Sequence, residues 1–563
     1  MTDINNLITD NINVWTSAIK KKSATGRGSN KKIELTGIKK LRQLILELAL
    51  RGKLVPQDIN DEPASVLLEK IAEGNAQLIL DKKIKKQKAL PEISKDDKSF
   101  KLPNGWSETR FGEIYLMEYG NNLPKPKRSD TGEYNVYGSN GVVGSHNESS
   151  IQAPCIVIGR KGSAGALNLS KGKGCWVTDV AYSVTPPNGI DLAFAFKQFH
   201  TMGLDTLGKG IKPGLNRNEA NLVVISIPPL AEQHRIVAKV DELMALCDQL
   251  EQQTEQSLTA HQTLVEVLLA ALFKQAEGSS DSTEDFQTSW QRIADHFDVL
   301  FTTEQSIEQL KQTILQLAVM GKLVPQNPSD EPASVLLDKI AEEKAQLIAD
   351  KKIKKQKPLP AVTDEEKPFG LPSGWEWVRL GNIGIGSTGK TPSTRNNEFF
   401  GGNIEFIGPG NITPQGQLLK ADKFLTELGT GQSTSVVEGA LLMVCIGGSI
   451  GKSALASERI SFNQQINAMQ TIEFLPKFLK HSVSTDIFYK SVLEKSTGSA
   501  TPIINRGKWE ELLIPAAPLS EQHRIVAKVD ELMALCDQLK TRLADAQITQ
   551  LHLAEAVVEQ ALN

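Results

Sequence analysis

The sequence predicts an α+β protein. Two mixed α/β domains alternate with long antiparallel coiled-coil helices, in a pseudo-two-fold arrangement with cyclic connectivity. Three observations predict it. Most of the chain's framework occurs twice, the repeated segments carry helical apolar spacing, and the stretches between them are glycine-rich with short apolar runs.

The duplication comes first. KLVPQDINDEPASVLLEKIAEGNAQLILDKKIKKQK begins at Lys53, and KLVPQNPSDEPASVLLDKIAEEKAQLIADKKIKKQK begins at Lys322, an offset of 269 (322 − 53). The offset holds through LPNGWSETRFGEI at Leu102 and LPSGWEWVRLGNI at Leu371. EQHRIVAKVDELMALCDQL runs from Glu232 and recurs letter for letter from Glu521, an offset of 289. The second copy is therefore 20 residues longer (289 − 269) between the two motifs, where the copies share little sequence. The period is too long for a solenoid. Two similar frames hold two dissimilar inserts, as a scaffold with two different recognition modules requires. The expected segments are an N-terminal arm at 1–37, shared helices at 38–101, a first variable domain at 102–230, a central shared segment at 231–370, a second variable domain at 371–519 and a shared helix at 520–563.

The shared helices follow from spacing. Ile236, Val240, Leu243, Cys247 and Leu250 recur at 4-3-4-3, the seam of a coiled coil, and the same phase reaches Leu264 and Leu268. The second copy gives Ile525, Val529, Leu532, Cys536 and Leu539, then Leu543, Ala546, Leu553 and Val557. A helix of about 40 residues is about 60 Å long. Leu41, Ile45 and Leu48 share one face of an earlier helix, with Gly52 as its stop and Pro56 preventing resumption; Leu310, Ile314, Leu317, Gly321 and Pro325 repeat the pattern. Pro63 and Pro332 open the next helix. Its DKKIKKQK end serves either DNA phosphate or a solvated helix terminus. Residues 276–285 read as the polar turn between the central helices. The chain ends are expected to meet, with 38–52 pairing with 521–560.

The variable domains contain buried strands at CIVIG (Cys155) and LLMVCIGG (Leu441), and short helices at DLAFAFKQFHTMGL and FLPKFLKHSVST. Charge does not decide their partner: residues 107–226 hold 12 Lys/Arg against 10 Asp/Glu, and 376–510 hold 13 against 11. Placement says more. Lys125, Lys127 and Arg128 share a loop, Arg160 and Lys161 lie in GRKGSAG, Lys209 precedes GIKPGLNR and Lys212 lies within it. In the second domain the candidates are Thr388, Lys390 and Thr391, then Arg395, Asn396 and Asn397, Lys452, and Asn463, Gln464 and Gln465 of FNQQINA. Arg on guanine and Asn or Gln on adenine are the pairings of major-groove readout. Asn216-Arg217 and Asn505-Arg506 match at the 289 offset, and fit either a phosphate contact or a turn docking each domain on its helix.

Composition bounds the alternatives. The chain has 563 residues, 40% hydrophobic and 23% charged, with a net charge of −3, so several soluble domains are expected and any DNA surface is local. The five cysteines form no CxxC pair, which argues against zinc and disulfides and fits a cytoplasmic protein. No signal peptide or membrane span is read. GIGSTGKT at 384–391 matches the phosphate-loop pattern, but Pro392 and a segment without helical periodicity follow it. Nucleotide binding there, and a coiled-coil scaffold binding only protein, are the competing readings. No catalytic motif or metal set is found.

At this point the chain resembles the specificity subunits of type I restriction-modification systems. The resemblance rests on the LPxGW starts, the IPPLAEQHRIVAKVDEL and APLSEQHRIVAKVDEL ends, the RGKLVPQ and MGKLVPQ motifs and the GxTP element at Gly389, in order over residues 38–563. It implies two target-recognition domains, each reading half of an asymmetric bipartite site in double-stranded DNA. It implies helices that set the half-site spacing and bind two methyltransferase subunits. Restriction and motor subunits join them. S-adenosylmethionine, ATP and Mg belong to those partners, and this chain carries neither cofactor nor active site.

Overall fold

The two long helices form where the sequence repeats most strictly, over Leu230–Glu277 and Leu519–Leu562. The computed structural model describes residues 4–21, 33–85, 88–94, 100–207, 214–277, 283–498 and 500–562. The chain divides into two units, Met1–Ser257 with Asp545–Asn563, and Leu258–Ala544.

In the first unit, helix Thr36–Leu50 buries Leu41, Ile45 and Leu48 and stops at Gly52, whose φ of +63° suits glycine. A four-stranded sheet has the order Glu118–Tyr119, Ala181–Val184, Cys155–Gly159, Leu167–Ser170. A three-stranded sheet joins Gly141–His146, Tyr134–Gly138 and Trp176–Val177. Ser107–Arg110 pairs with Val224–Ile227, so the domain's two ends close on each other just before the long helix. Ile156, Ile158, Tyr182, Phe111 and Phe199 form the core between the larger sheet and helix Leu192–Phe199.

The second unit repeats this plan. One of its two four-stranded sheets has the order Gly384–Thr388, Ile466–Thr471, Leu441–Val444, Ser453–Leu455, and the other has the order Phe424–Leu425, Phe400–Ile407, Ile460–Phe462, Thr434–Val436. Glu376–Arg379 pairs with Leu513–Ala516. The register matches residue by residue: Tyr182 lies between Tyr119 and Ile158, and Asn467 lies between Thr388 and Met443. The inserts differ in sequence yet share sheet order and register. Most of the extra length in the second copy falls between the strand ending at Ile407 and the one beginning at Leu441, where a short helix Glu427–Thr430 and the strand Thr434–Val436 are added.

One set of contacts fixes each domain to the head of its long helix, and it occurs twice. The Trp106 Nε1–H donates to the Glu232 carboxylate (3.0 Å), and Trp375 donates likewise to Glu521 (2.9 Å). Gln57 and Gln326 donate to the same two carboxylates. Arg235 pairs with Asp61, and Arg524 with Asp330. Gln233 accepts from the backbone N–H of Asp191, and Gln522 from that of Leu475. Gly52 and Gly321 lie directly under Pro103 and Pro372, too close for a Cβ (2.3 and 2.5 Å). The LPxGW, GKLVPQ and EQHR motifs are thus one joint, assembled by three distant segments.

Several expectations are corrected. All ten seam residues from Ile236 to Leu250 and from Ile525 to Leu539 are buried, but the heptad phase ends there. Leu264 is 48% and Leu553 43% exposed and Ala546 is exposed, while Val265, Leu269, Leu272, Ala554 and Ala561 are buried. The inward positions after Leu250 run 254, 258, 261, 265, 269, 272, and after Leu539 they run 543, 547, 550, 554, 558, 561. That 4-4-3 spacing is an eleven-residue repeat of about 3.67 residues per turn, which drifts around the helix in the right-handed sense where a heptad drifts in the left-handed one.

The pairing of 38–52 with 521–560 is also divided. In the first unit Lys40 meets Glu555, and Lys53 donates to the Leu562 carbonyl, while Arg42 meets Asp248 and Glu251. In the second unit Lys311 meets Asp537, and Lys540 meets Glu304 and Glu308 of helix Glu304–Val319. A 15-residue helix covers about 22 Å, one third of a 44-residue partner. The N-terminal segment is no free arm over its described part. Helices Ile4–Asp10 and Ile12–Ser17 bury Ile8 and Trp15, and Trp15 is wholly shielded. The turn expected at 276–285 is interrupted by helix from Thr283, and 278–282 lie outside the described residues.

Candidate DNA interface

Strand and turn chemistry position the candidate side chains. In both units an outer strand, Glu118–Tyr119 or Gly384–Thr388, is followed by a glycine pressed against a neighbouring carbonyl. A Cβ on Gly120 would lie 2.1 Å from the Thr178 oxygen, and one on Gly389 2.0 Å from the Asn463 oxygen. Only glycine allows this approach, which brings the strand end beside the turns at 178–180 and 463–465. Gly120 N–H donates to Ala181 and Gly389 N–H to Ile466.

In the first unit this corner gathers Tyr119, Arg160, Asp179 and Arg217. Tyr119 is 51% exposed, and two guanidinium groups lie over its ring, Arg160 at 4.7 Å and Arg217 at 5.0 Å. Arg160 donates to the Asp179 carbonyl (3.0 Å) and Arg217 to the Met117 carbonyl (3.3 Å). Burial pushes the Tyr182 phenol up; its hydroxyl donates to the Leu215 carbonyl. Lys161 is exposed next to Arg160, and its backbone bridges Gly214. Lys125 and Lys127 are exposed on a 3-10 turn, whereas Arg128 folds back to hold the Leu123 carbonyl. Lys209 and Lys212 lie outside the described residues.

In the second unit the equivalent corner is built of amides and hydroxyls. Thr388 donates to the Asn467 amide oxygen (2.8 Å), and Thr391 to the Gln464 amide oxygen (2.6 Å). Asn463 and Gln465 satisfy each other through Nδ2 to Oε1 and through the Gln465 backbone N–H. Gln464 and Lys390 are exposed. Arg506 holds the Gly386 carbonyl (3.3 Å) and lies 3.4 Å from Glu510, whose carboxyl is pushed up by burial. Arg395 and Asn397 are exposed, and Asn396 caps a short 3-10 turn, while Lys452 is half-buried.

Asn216 and Asn505 are helix caps, accepting from the backbone N–H of Asn218 and Lys508. Their neighbours Arg217 and Arg506 tie equivalent carbonyls on the outer strand. The shared Asn-Arg pair therefore docks the strand. Sequence reasoning missed Tyr119 and Asp179. Neither belongs to a basic or amide cluster, and only the strand pairing brings them to Arg160.

GIGSTGKT does not form a phosphate loop. Gly384–Thr388 is a strand, the Gly389 and Lys390 N–H groups are bonded to Ile466 and Phe462, and no α-helix follows directly. A phosphate cradle needs those N–H groups free at a helix N-terminus. Among the described residues no group of His, Cys, Asp and Glu is arranged to hold a metal, and no helix is long and apolar enough to cross a membrane.

Comparison with known proteins agrees with the geometry. The type I restriction modification DNA specificity domain matches residues 103–260 and 372–550, each match covering one variable region and part of the long helix that follows it. The chain is 38% identical over 600 residues to the type I restriction enzyme EcoAI specificity subunit of Escherichia coli, covering 100% of both. It is also 38% identical over 614 residues to the EcoEI specificity subunit of the same organism, again covering 100% of both. A crystal structure of the HsdS subunit from Thermoanaerobacter tengcongensis aligns over 82% of this chain and 98% of that one, at 19% identity and a TM-score of 0.41. Two matched specificity domains and full-length likeness at this level carry one conclusion: the chain belongs to the specificity subunits of type I restriction-modification systems, which recognise DNA sequence.

Proposed function

We propose that each unit reads one half of an asymmetric, two-part site in double-stranded DNA. The carrying observation is the joint built from Trp106, Glu232 and Gln57 in one unit and from Trp375, Glu521 and Gln326 in the other. An identical mount holding surfaces of different chemistry is what a reader of two unlike half-sites needs. The long helices act as an antiparallel spacer in a pseudo-two-fold, cyclically connected subunit, and their length sets the gap between half-sites. The chain itself is non-catalytic. It directs two adenine-methylating subunits that carry S-adenosylmethionine, and motor-nuclease subunits that use ATP and Mg, to the site in the cytoplasm. The candidates around Lys125, Arg160, Lys390 and Gln464 face the DNA.

Exchanging residues 107–227 for those of a relative, and mapping methylated adenines in cells expressing the whole complex, tests this. One half-site changes and the other stays. A change in both halves contradicts modular reading.

A further inference from the structure

The two corners described above are the same place in the fold. Tyr119 and Thr388 occupy one sheet position, each paired with the same neighbouring strand, to Tyr182 and Asn467 respectively. Arg160 and Cys445 correspond, because the N–H of each bonds the equivalent turn carbonyl, Val180 or Gln465, and the carbonyl of each accepts from Leu215 or Ile504. Asp179 and Gln464 then coincide as the middle residues of their turns, since Thr178 and Asn463 both face the preceding glycine. The backbone is held constant while the exposed chemistry changes. One unit presents a guanidinium, a phenol ring and a carboxylate, and the other presents a carboxamide and two threonine hydroxyls.

We propose that this corner is the specificity-determining site of each unit, with Arg160 and Asp179 selecting a G·C pair in one half-site and Gln464 selecting an A·T pair in the other. The proposal rests on the DNA-reading function above and names the residues that perform it. Guanine offers two acceptors in the major groove, N7 and O6, which a guanidinium fork matches, and its partner cytosine offers an amino donor that a carboxylate accepts. The Arg160 guanidinium is bonded to the Asp179 backbone carbonyl, and among the described residues neither Arg160 nor the Asp179 carboxylate has an ion-pair partner, so both charges remain available to a ligand. The Tyr119 ring, 4.7 Å from the Arg160 guanidinium carbon, and the Asp179 carbonyl together hold that guanidinium in place. Adenine offers N7 as acceptor and N6 as donor, which match the amide of Gln464. Thr391 donates to the Gln464 oxygen, which orients that amide, and among the described residues its N–H₂ has no partner. Arg217 and Arg506 are positioning residues that hold the strand carrying Tyr119 or Thr388 through the carbonyls of Met117 and Gly386.

The test is the methylated-adenine map of cells expressing the complete complex with Arg160→Ala, Asp179→Ala or Gln464→Ala. Arg160→Ala and Asp179→Ala are expected to relax one and the same G·C position in one half-site, by about 5- to 150-fold in preference, the range a bidentate base contact supplies. Gln464→Ala relaxes one A·T position in the other half. Arg160→Lys keeps the charge without the fork and must relax the same position, which covers the case where Arg160→Ala lowers methylation too far to map. A motif left intact in these variants, or one base relaxed in both halves, overturns the assignment. A wild-type complex with no two-part motif contradicts the DNA-reading function itself, a separate result.

Discussion

Glu232 is a buried carboxylate at the joint between a recognition domain and its helix, and removing its charge separates two contributions. It is 1% exposed and accepts from Trp106 (3.0 Å) and Gln57 (3.3 Å). Burial raises its pKa above the ordinary carboxylate value, against the lowering effects of Gln57, Trp106 and Arg235. Glu232→Leu leaves the Trp106 N–H and the Gln57 amide without their acceptor. An orphaned buried donor costs about 1–3 kcal/mol, so the two together cost about 2–4 kcal/mol where Gln57 keeps its backbone acceptors. Glu232→Gln keeps an acceptor and removes the buried charge, so at neutral pH it stays within about 1 kcal/mol of wild type.

The pH dependence has a definite sign. A carboxylate whose folded pKa is raised binds its proton more tightly when folded. Its contribution to stability therefore rises as pH falls from the folded pKa towards the unfolded value, and is lost as pH rises. Wild type should gain on Glu232→Gln as pH falls into the carboxylate range. Urea unfolding at several pH values measures this, and hydrogen exchange localises the Leu variant's loss to residues 53–62 and 103–110. A Glu232→Leu protein within 0.5 kcal/mol of wild type, or a Glu232→Gln difference that grows in the opposite direction with pH, would refute the reasoning.

Two further outcomes follow from the packing. Gly389→Ala places a Cβ 2.0 Å from the Asn463 carbonyl oxygen, so backbone must move; it should lower the urea midpoint by the equivalent of about 1–3 kcal/mol and disturb recognition of one half-site only, and an unchanged midpoint would show that the strand end is not pinned. Inserting eleven residues within 251–272 and again within 540–561 preserves the observed inward stripe, whereas seven turn it by about 33°. The eleven-residue protein should therefore fold and methylate with a gap longer by about 16 Å, and methylation mapping that returned the original gap would dismiss the helices as the spacer.

The residues show where sequence reasoning ended. The repeats, the long helices, the stop at Gly52 and the seam through Cys247 and Cys536 all depend on neighbours within a few turns of chain, so spacing reveals them. The change to an eleven-residue stripe after Leu250 was hidden because Leu264 and Leu553 continue the heptad by letter but face outward. Both variable inserts looked unrelated because their shared feature is backbone register, which leaves almost no trace in side-chain identity. Tyr119, Arg160 and Asp179 are far apart in sequence and meet only through the pairing of three strands. Asn216 and Asn505 had two open readings, and the structure adds that both cap short helices.

By itself the sequence determined the duplicated frame, the two inserts and the membership of a family that reads DNA, because repetition and periodic burial are written in consecutive residues. The tertiary structure alone decided that Trp106, Gln57 and Glu232 are one joint and that Arg160 and Gln464 stand at corresponding corners. Those relations depend on which strands pair and in what register, and hydrogen bonding between distant backbones settles that rather than any local preference of the chain.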